Sequence, residues 1–268
     1  MSEEDGTLPG IDVTRPSIAR VYDYLLGGKD NYIVDRELGD VFIKKIPGAR
    51  IIAYDNRRAL VRAVREMSRA GVRQFIDVGS GLPTADNVHQ VARRHAEDPR
   101  VVYVDNDPMA LAHARALLEG DGLTTVIDAD LRDPAGIRDH EATRELLDFD
   151  EPVAVVLSGI LHHLNDDEDP AGVMRYWRES VAPGSFFLIT HFRRAEGTEA
   201  ARLEEILQSS LGRGRWRTDA ELHALFDGLI LLAPGIVPSA RWRPEPGAEN
   251  AELTSWQLLI ATGLAVKP

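Results

Sequence analysis

The stretch Phe75-Ile76-Asp77-Val78-Gly79-Ser80-Gly81-Leu82-Pro83 decides the fold. An apolar run ends in an acid and passes directly into a Gly-x-Gly turn. Glycines at a strand tip let backbone approach a ligand closely, because neither carries a Cβ. The acid before them disfavours a phosphate and suits a ligand with cationic or hydroxyl groups. The expected ligand is therefore a nucleoside-containing cofactor without a phosphate at this turn.

Working outward, strands are predicted over 74–78, 101–104, 124–128, 153–157, 185–190, 229–232 and 256–262. Helical periodicity fills most of the gaps, over 84–95, 108–118, 135–147, 171–181 and 199–211. Thr218-Asp219-Ala220-Glu221 has capping-box spacing and opens a helix through Phe226. Strands alternating with helices imply a mostly parallel sheet covered on both faces. The last link, 233–250, is rich in proline and glycine and carries no helical pattern. It suits an antiparallel hairpin at one sheet edge, since parallel neighbours need a crossover. Upstream, residues 1–15 read as a loose arm. Three helices are predicted over 16–26, 34–45 and 53–70, the first stopped by Gly27-Gly28. The expectation is one domain over 1–268, with an arm and helical lid in 1–50 and a Rossmann-like core in 51–268.

Composition narrows the partners. The 268 residues carry a formal net charge of −12, which opposes a duplex nucleic-acid partner. There is no cysteine, so thiolate chemistry and cysteine-ligated metals are excluded. No apolar run approaches the about 18 residues of a membrane span. The acidic start, Met1-Ser2-Glu3-Glu4-Asp5, lacks an apolar signal core. A cytoplasmic protein without a membrane or nucleic-acid partner is expected; nothing in the chain signals its oligomeric state.

In doubly wound sheets, ligands sit beyond the carboxyl ends of the strands. Those tips carry Asp77, Gly79, Ser80 and Gly81; then Asp105-Asn106-Asp107-Pro108; then Asp128-Ala129-Asp130-Leu131; then Ser158-Gly159-Ile160-Leu161-His162-His163. An acid at the second tip can accept from ribose hydroxyls. Asp107 before Pro108 reads as a helix cap. The dinucleotide fingerprint fails, because Leu82-Pro83-Thr84 puts threonine where its third glycine belongs. S-adenosylmethionine, with ribose, adenine, ammonium and sulfonium, fits these tips better than a dinucleotide.

The chain thus resembles the class I S-adenosylmethionine-dependent methyltransferases, in Asp77-Val78-Gly79-Ser80-Gly81, Asp105 and Asp130-Leu131. Ser17 to Tyr32, Phe226-Asp227-Gly228-Leu229 and Pro234-Gly235 are similar to the signatures of a bacterial S-adenosyl methyltransferase family of unassigned substrate. The resemblance implies a Rossmann-like class I methyltransferase sandwich of seven strands with an antiparallel last strand. It also implies site roles. Backbone at Gly79, Ser80 and Gly81 approaches the methionine part, and Asp77 reaches the ammonium. Asp105 binds the ribose, with Asn106 beside the adenine. Asp130, preferred over Asp128, and Leu131 contact the adenine, and Ser158 backbone holds the ammonium. The N-terminal signature forms a lid, with Arg20, Tyr24, Asn31 and Tyr32 as contacts. His162 and His163 are the candidate catalytic residues, or are packing histidines. No metal site is expected; Asp166 to Asp169 read as a solvated loop. Arg193 and Arg194 face either an anionic substrate or water. The acceptor, a small molecule, is expected among the lid, 158–169, 191–217 and 233–250. The product would be S-adenosylhomocysteine. Two other functions are compatible with the motifs: a non-catalytic S-adenosylmethionine sensor and, less well, a nicotinamide-dinucleotide oxidoreductase.

Overall fold

A computed structural model describes residues 12–118, 122–194 and 198–268. Residues 1–11 of the expected arm lie outside them. Three helices come first: α1 (Ile18–Leu25), α2 (Ile33–Lys45) and α3 (Ala49–Arg69). The alternation follows with β1 (Gln74–Val78), α4 (Val88–Arg93), β2 (Arg100–Asp105), α5 (Pro108–Leu118) and β3 (Thr124–Asp128). It continues with α6 (Pro134–Asp139), α7 (Glu141–Leu146), β4 (Val153–Ser158), α8 (Pro170–Ser180), β5 (Phe186–Phe192) and α9 (Thr198–Leu211). The chain ends with α10 (Asp219–Ala224), β6 (Ile230–Leu231), β7 (Val237–Pro238) and β8 (Ile260–Val266).

The sheet order is β3-β2-β1-β4-β5-β8-β6, with β7 also pairing β8. Strands β1 to β5 are parallel, and β8 runs antiparallel to β5, β6 and β7. This is the expected mostly parallel Rossmann-like sheet with an antiparallel last strand; the two-residue β7 is an addition to the seven expected strands. Order reverses between β1 and β4, which makes the crevice at their carboxyl ends the switch point.

Period-two alternation sends successive strand residues to opposite layers. Ile76, Val102, Val104, Val155 and Leu157 pack with Ile137, Val173 and Trp177. Phe75, Val101, Ala154 and Val156 pack with Leu60, Val64 and Met67 of α3 and with Val91 and Trp242. A third cluster joins Val21, Phe42, Ile46 and Ile52 to Leu207, Trp216 and Ile260. It seats the N-terminal helices over the carboxyl ends of the strands. Among the described residues, no helix is long and apolar enough to cross a membrane.

Three elements depart from the sequence expectation. The helix expected over 84–95 begins only at Val88, capped by Asn87, whose N–H donates to Gln90 Oε1 at 2.9 Å. Arg57 holds the preceding loop by donating to the carbonyls of Ala85 and Asp86 and to Asn87 Oδ1. The helix expected over 135–147 breaks at His140, whose ψ is 135°. The last strand lies four residues later than 256–262, because Ser255–Leu259 forms a 3₁₀ turn. There Gln257 Nε2 donates to Asp55 Oδ2 at 2.8 Å, a partner no local pattern reveals. The Thr218 capping box forms as expected, with the Thr218 N–H donating to Glu221 Oε2 at 2.7 Å.

Candidate functional site

A cavity of about 420 Å³ opens at the switch point. The tips of β1, β2, β3 and β4 supply Asp77, Gly79, Ser80, Gly81, Asp105, Asn106, Asp130, Leu131 and Ser158 to its wall, and His162 and His163 follow. The structure therefore brings together every strand-tip residue to which the sequence assigns a site role. Asp128 is exposed and does not line the cavity, which leaves Asp130 as the acid at the third tip.

Gly79 and Gly81 adopt φ of +70° and +66°, where a side chain is strained. At Gly79 a Cβ would also lie 2.4 Å from Ile160 Cγ1, so the β1 and β4 loops touch only because this residue is glycine. One expectation changes here. The N–H groups of Gly79 and Ser80 both donate to Val104 O, at 2.8 and 3.1 Å, and that of Gly81 donates to Asp105 Oδ2 at 2.7 Å. The loop's donors are spent on β2, so a ligand meets its Cα surface and carbonyls.

The three tip acids differ electrically. Asp105 also accepts from the N–H groups of Asn106 and Asp107, both at 2.9 Å at Oδ1. Burial raises its pKa, and these backbone bonds oppose the rise. Asp130 is gripped by Arg132, which donates to it from Nε at 2.9 Å and from an η nitrogen at 2.6 Å, holding its pKa low. Asp77 is 5 % exposed and accepts no hydrogen bond among the described residues. Burial pushes it up to about 7, against the pull of Arg57 and with the push of Asp105. Asp107 caps α5 as expected, accepting from Met109 and Ala110, and also receives the Ser17 hydroxyl.

The N-terminal helices line the cavity through different residues from those expected. Ser17, Ile18, Ala19, Val21, Tyr22 and Leu25 reach it; Arg20, Tyr24, Asn31 and Tyr32 do not. Arg20 is buried in an ion pair with Asp35, 2.9 Å from it. Tyr24 donates to Asp40 at the surface, at 2.7 Å. Asn31 donates to Asp23 at 2.8 Å. Tyr32 packs on Leu82, Met109 and Ala110. The signature thus builds a turn. Gly27 has φ +80°, and at Gly28 a Cβ would fall 1.9 Å from Asp23 Oδ1.

Tyr22 is tied to the sheet instead. Its hydroxyl accepts from Asn56 Nδ2 at 2.9 Å and donates to Ala53 O. Asn56 Oδ1 accepts from Thr190, whose hydroxyl lies 3.3 Å from Ser158 Oγ. Sequence reasoning missed Asn56 and Arg57, because α3 reads as a packing helix. The adjacent polar pair inside its apolar repeat was the available signal.

Beyond His162 the cavity becomes apolar, walled by Phe42, Ile46, Leu207, Phe192, Trp216 and Ile260. Phe192 and Trp216 are stacked at 4.7 Å with 3° between planes. His162 and His163, 4 % and 6 % exposed, have centroids 4.3 Å apart, and neither Nδ1 has a partner among the described residues. Burial holds both neutral: His162 well below the ordinary histidine value and His163 at about 4. Among the described residues, 233–250 contributes nothing to this wall. Arg193 and Arg194 pair with Asp219 and Glu204 and do not line it either. Asp166 and Glu168 of the acidic stretch are engaged by Arg215 and Arg132.

A doubly wound sheet with a glycine turn and tip acids at its switch point defines the class: an α/β protein whose ligand crevice lies at the carboxyl ends of β1 and β4. The sequence pattern of Methyltransf_19, described as S-adenosyl methyltransferase, matches residues 5–268, and the chain belongs to that family. The crystal structure of a candidate methyltransferase from Thermobifida fusca YX is similar, with 43% identity, a TM-score of 0.93 and 97% of each chain covered. A DUF574 family protein from Streptomyces avermitilis MA-4680 is 34% identical with a TM-score of 0.91, over 96% of this chain and 99% of that one. The N-methyltransferase NodS from Bradyrhizobium japonicum WM9, solved with S-adenosyl-L-homocysteine, shares the fold. It has 13% identity and a TM-score of 0.52 over 93% of this chain and 99% of its own. No curated protein matches the chain.

Proposed function

We propose that the protein binds S-adenosylmethionine and transfers its methyl group to a small-molecule acceptor, releasing S-adenosylhomocysteine. One observation carries this: a single cavity joins the strand-tip acids to an apolar, aromatic-walled lobe through Ser158, Gly159 and Ile160. Its volume lies in the ordinary range for a ligand pocket, about 300–1,000 Å³. The donor set fits the cofactor's charges. Asp77, buried and without a hydrogen-bond donor, suits the ammonium, with the Ser158 backbone beside it. Arg57 lines the same wall and suits the carboxylate. Asp105 has three of its roughly four lone-pair positions filled, leaving one for a ribose hydroxyl. Asn106, Asp130 and Leu131 flank the adenine position.

When bound, S-adenosylmethionine supplies an electrophilic methyl group. The chain's task is then alignment, which can lower a barrier by roughly 7–11 kcal/mol. The stacked Phe192 and Trp216 and the apolar wall exclude water and seat the acceptor. His162 and His163 orient it by hydrogen bonding as neutral imidazoles. Their depressed pKa values make them weak bases, so most of the rate comes from orientation. Calorimetric titration with S-adenosylhomocysteine tests the reading. Micromolar binding that weakens strongly in Asp105→Ala is expected, and no heat at high-micromolar ligand would refute it.

A further inference from the structure

We propose that the methyl acceptor is a planar aromatic carboxylate, and that Arg213 receives its anionic group. This rests on the cavity holding S-adenosylmethionine. The lobe beside His162 has an aromatic wall in Phe192, whose ring is backed face to face by the buried Trp216, with Leu207 and Ile46 in the same apolar cluster. Aromatic walls favour an aromatic guest through edge and face contacts.

The charge pattern selects the anion. Three arginines line the cavity: Arg57, Arg132 and Arg213. Arg57 is anchored to the 85–87 loop on the cofactor side, where the cofactor's carboxylate would take it, and Arg132 is held by Asp130 and Glu168. Arg213, half-buried, makes no hydrogen bond or ion pair among the described residues. Acids of the flanking segments are already paired with other arginines. Asp166 pairs with Arg215 and Arg217, Glu204 with Arg194, and Glu221 with Arg215. Glu168 feels Arg213 but is bonded to the Asn165 N–H and to Arg132. His163, whose protonation Arg213 also opposes, stays neutral and does not compete for an anion.

A guanidinium beside an apolar wall is a bidentate receptor for a planar carboxylate. In a chain of net charge −12, the overall field repels anions, so a cation left unpaired inside the cavity is what would admit one. The acids Asp77, Asp105 and Asp130 sit at the strand tips, on the cofactor side.

The test uses the full chain saturated with S-adenosylhomocysteine, titrated with benzoate, 4-hydroxybenzoate and 2-naphthoate and with the corresponding amides. At least one carboxylate is expected to bind about tenfold tighter than its amide. That preference disappears in Arg213→Gln and partly returns in Arg213→Lys, while amide affinity and S-adenosylhomocysteine affinity stay unchanged in both. Equal affinity for acid and amide, a preference that survives Arg213→Gln, or no binding by any carboxylate overturns the proposal. Failure of S-adenosylhomocysteine to bind wild type would instead defeat the cofactor reading.

Discussion

Replacing Asp77 by asparagine should stabilise the free protein above neutral pH while damaging its site. Burial places the native Asp77 pKa at about 7, whereas an unfolded aspartate titrates near about 3.9. The folded value is raised, so the native state holds a proton that the unfolded chain has lost between those values. The contribution to stability is complete below about pH 4 and disappears as pH rises through about 7. Three pKa units correspond to about 4 kcal/mol of penalty for the buried carboxylate at about pH 8. An asparagine amide must itself be desolvated there, so about 2 kcal/mol of gain should survive. That is about 5 °C in Tm for a chain of this size. At about pH 5 the penalty has fallen to about 1.5 kcal/mol, since only the unfolded aspartate is ionised, and the desolvation of the amide offsets it, so the variant should show no gain. Buried His162, His163 and His191 also shape the pH profile, with opposite sign, because all three are held below the ordinary histidine value. The difference between wild type and variant cancels them. The same titration predicts proton release on binding. On the proposed reading the ligand's ammonium would pin Asp77 as a carboxylate, so at about pH 6 S-adenosylhomocysteine should expel up to one proton from wild type and none from Asp77→Asn. Calorimetry in two buffers of different ionisation enthalpy reads this directly. A variant destabilised equally at both pH values would refute the electrostatic reasoning.

Gly79→Ala and Gly81→Ala separate strain from collision. Both need φ near +70°, costing about 1–2 kcal/mol, but only Gly79 has a side chain in the way, so its variant should lose a further 1–3 kcal/mol, about, in thermal unfolding. Equal losses would deny the contact with Ile160. Tyr22→Phe leaves Asn56 Nδ2 without its acceptor and should cost about 1–3 kcal/mol. Tyr24→Phe, which loses only a surface bond to Asp40, should change stability by less than about 0.5 kcal/mol. At saturating S-adenosylmethionine, where the proposed contact keeps Asp77 ionised, methyl transfer should show no histidine-like inflection near about pH 6.5, since His162 and His163 stay neutral through that range. A single inflection there, lost in His163→Asn, would make His163 a general base.

What the sequence disclosed was whatever is local to the chain. Residues 74–78 and 124–128 are strands with the expected bounds, and each strand tip carries its acid within two or three residues of the strand end. Pattern failed where a distant partner decides. Trp256, Leu258 and Leu259 read as strand, yet Gln257 is drawn to Asp55 on α3, and the segment coils. From sequence, Gly27-Gly28 reads as a helix stop and Asn31 as a lid contact, with no packing partner legible for either. The explanation lies in Asp23, which fills the space a Gly28 Cβ would need and receives the Asn31 amide. Arg57 and Arg213 gain meaning only from the tertiary arrangement that brings both to one cavity.

Three acids end three neighbouring strands, and chemistry separates their tasks more sharply than position does. Asp105 is satisfied by three backbone N–H groups and fixes the Gly79-Ser80-Gly81 turn against β2 whether or not a ligand is present. Asp130 already has a cation in Arg132, so a second positive group gains little there. Asp77 alone of the three is buried without a hydrogen-bond donor among the described residues. A positively charged ligand group therefore gains most beside Asp77, and a hydroxyl or amino group, which needs only an acceptor, gains most at the other two. On the proposed reading, that gradient would orient an asymmetric cofactor along the sheet edge, with its ammonium end at β1, its sugar at β2 and its base at β3. The same orientation would direct the sulfonium toward β4, where Ser158 to Ile160 line the cavity beside the apolar residues.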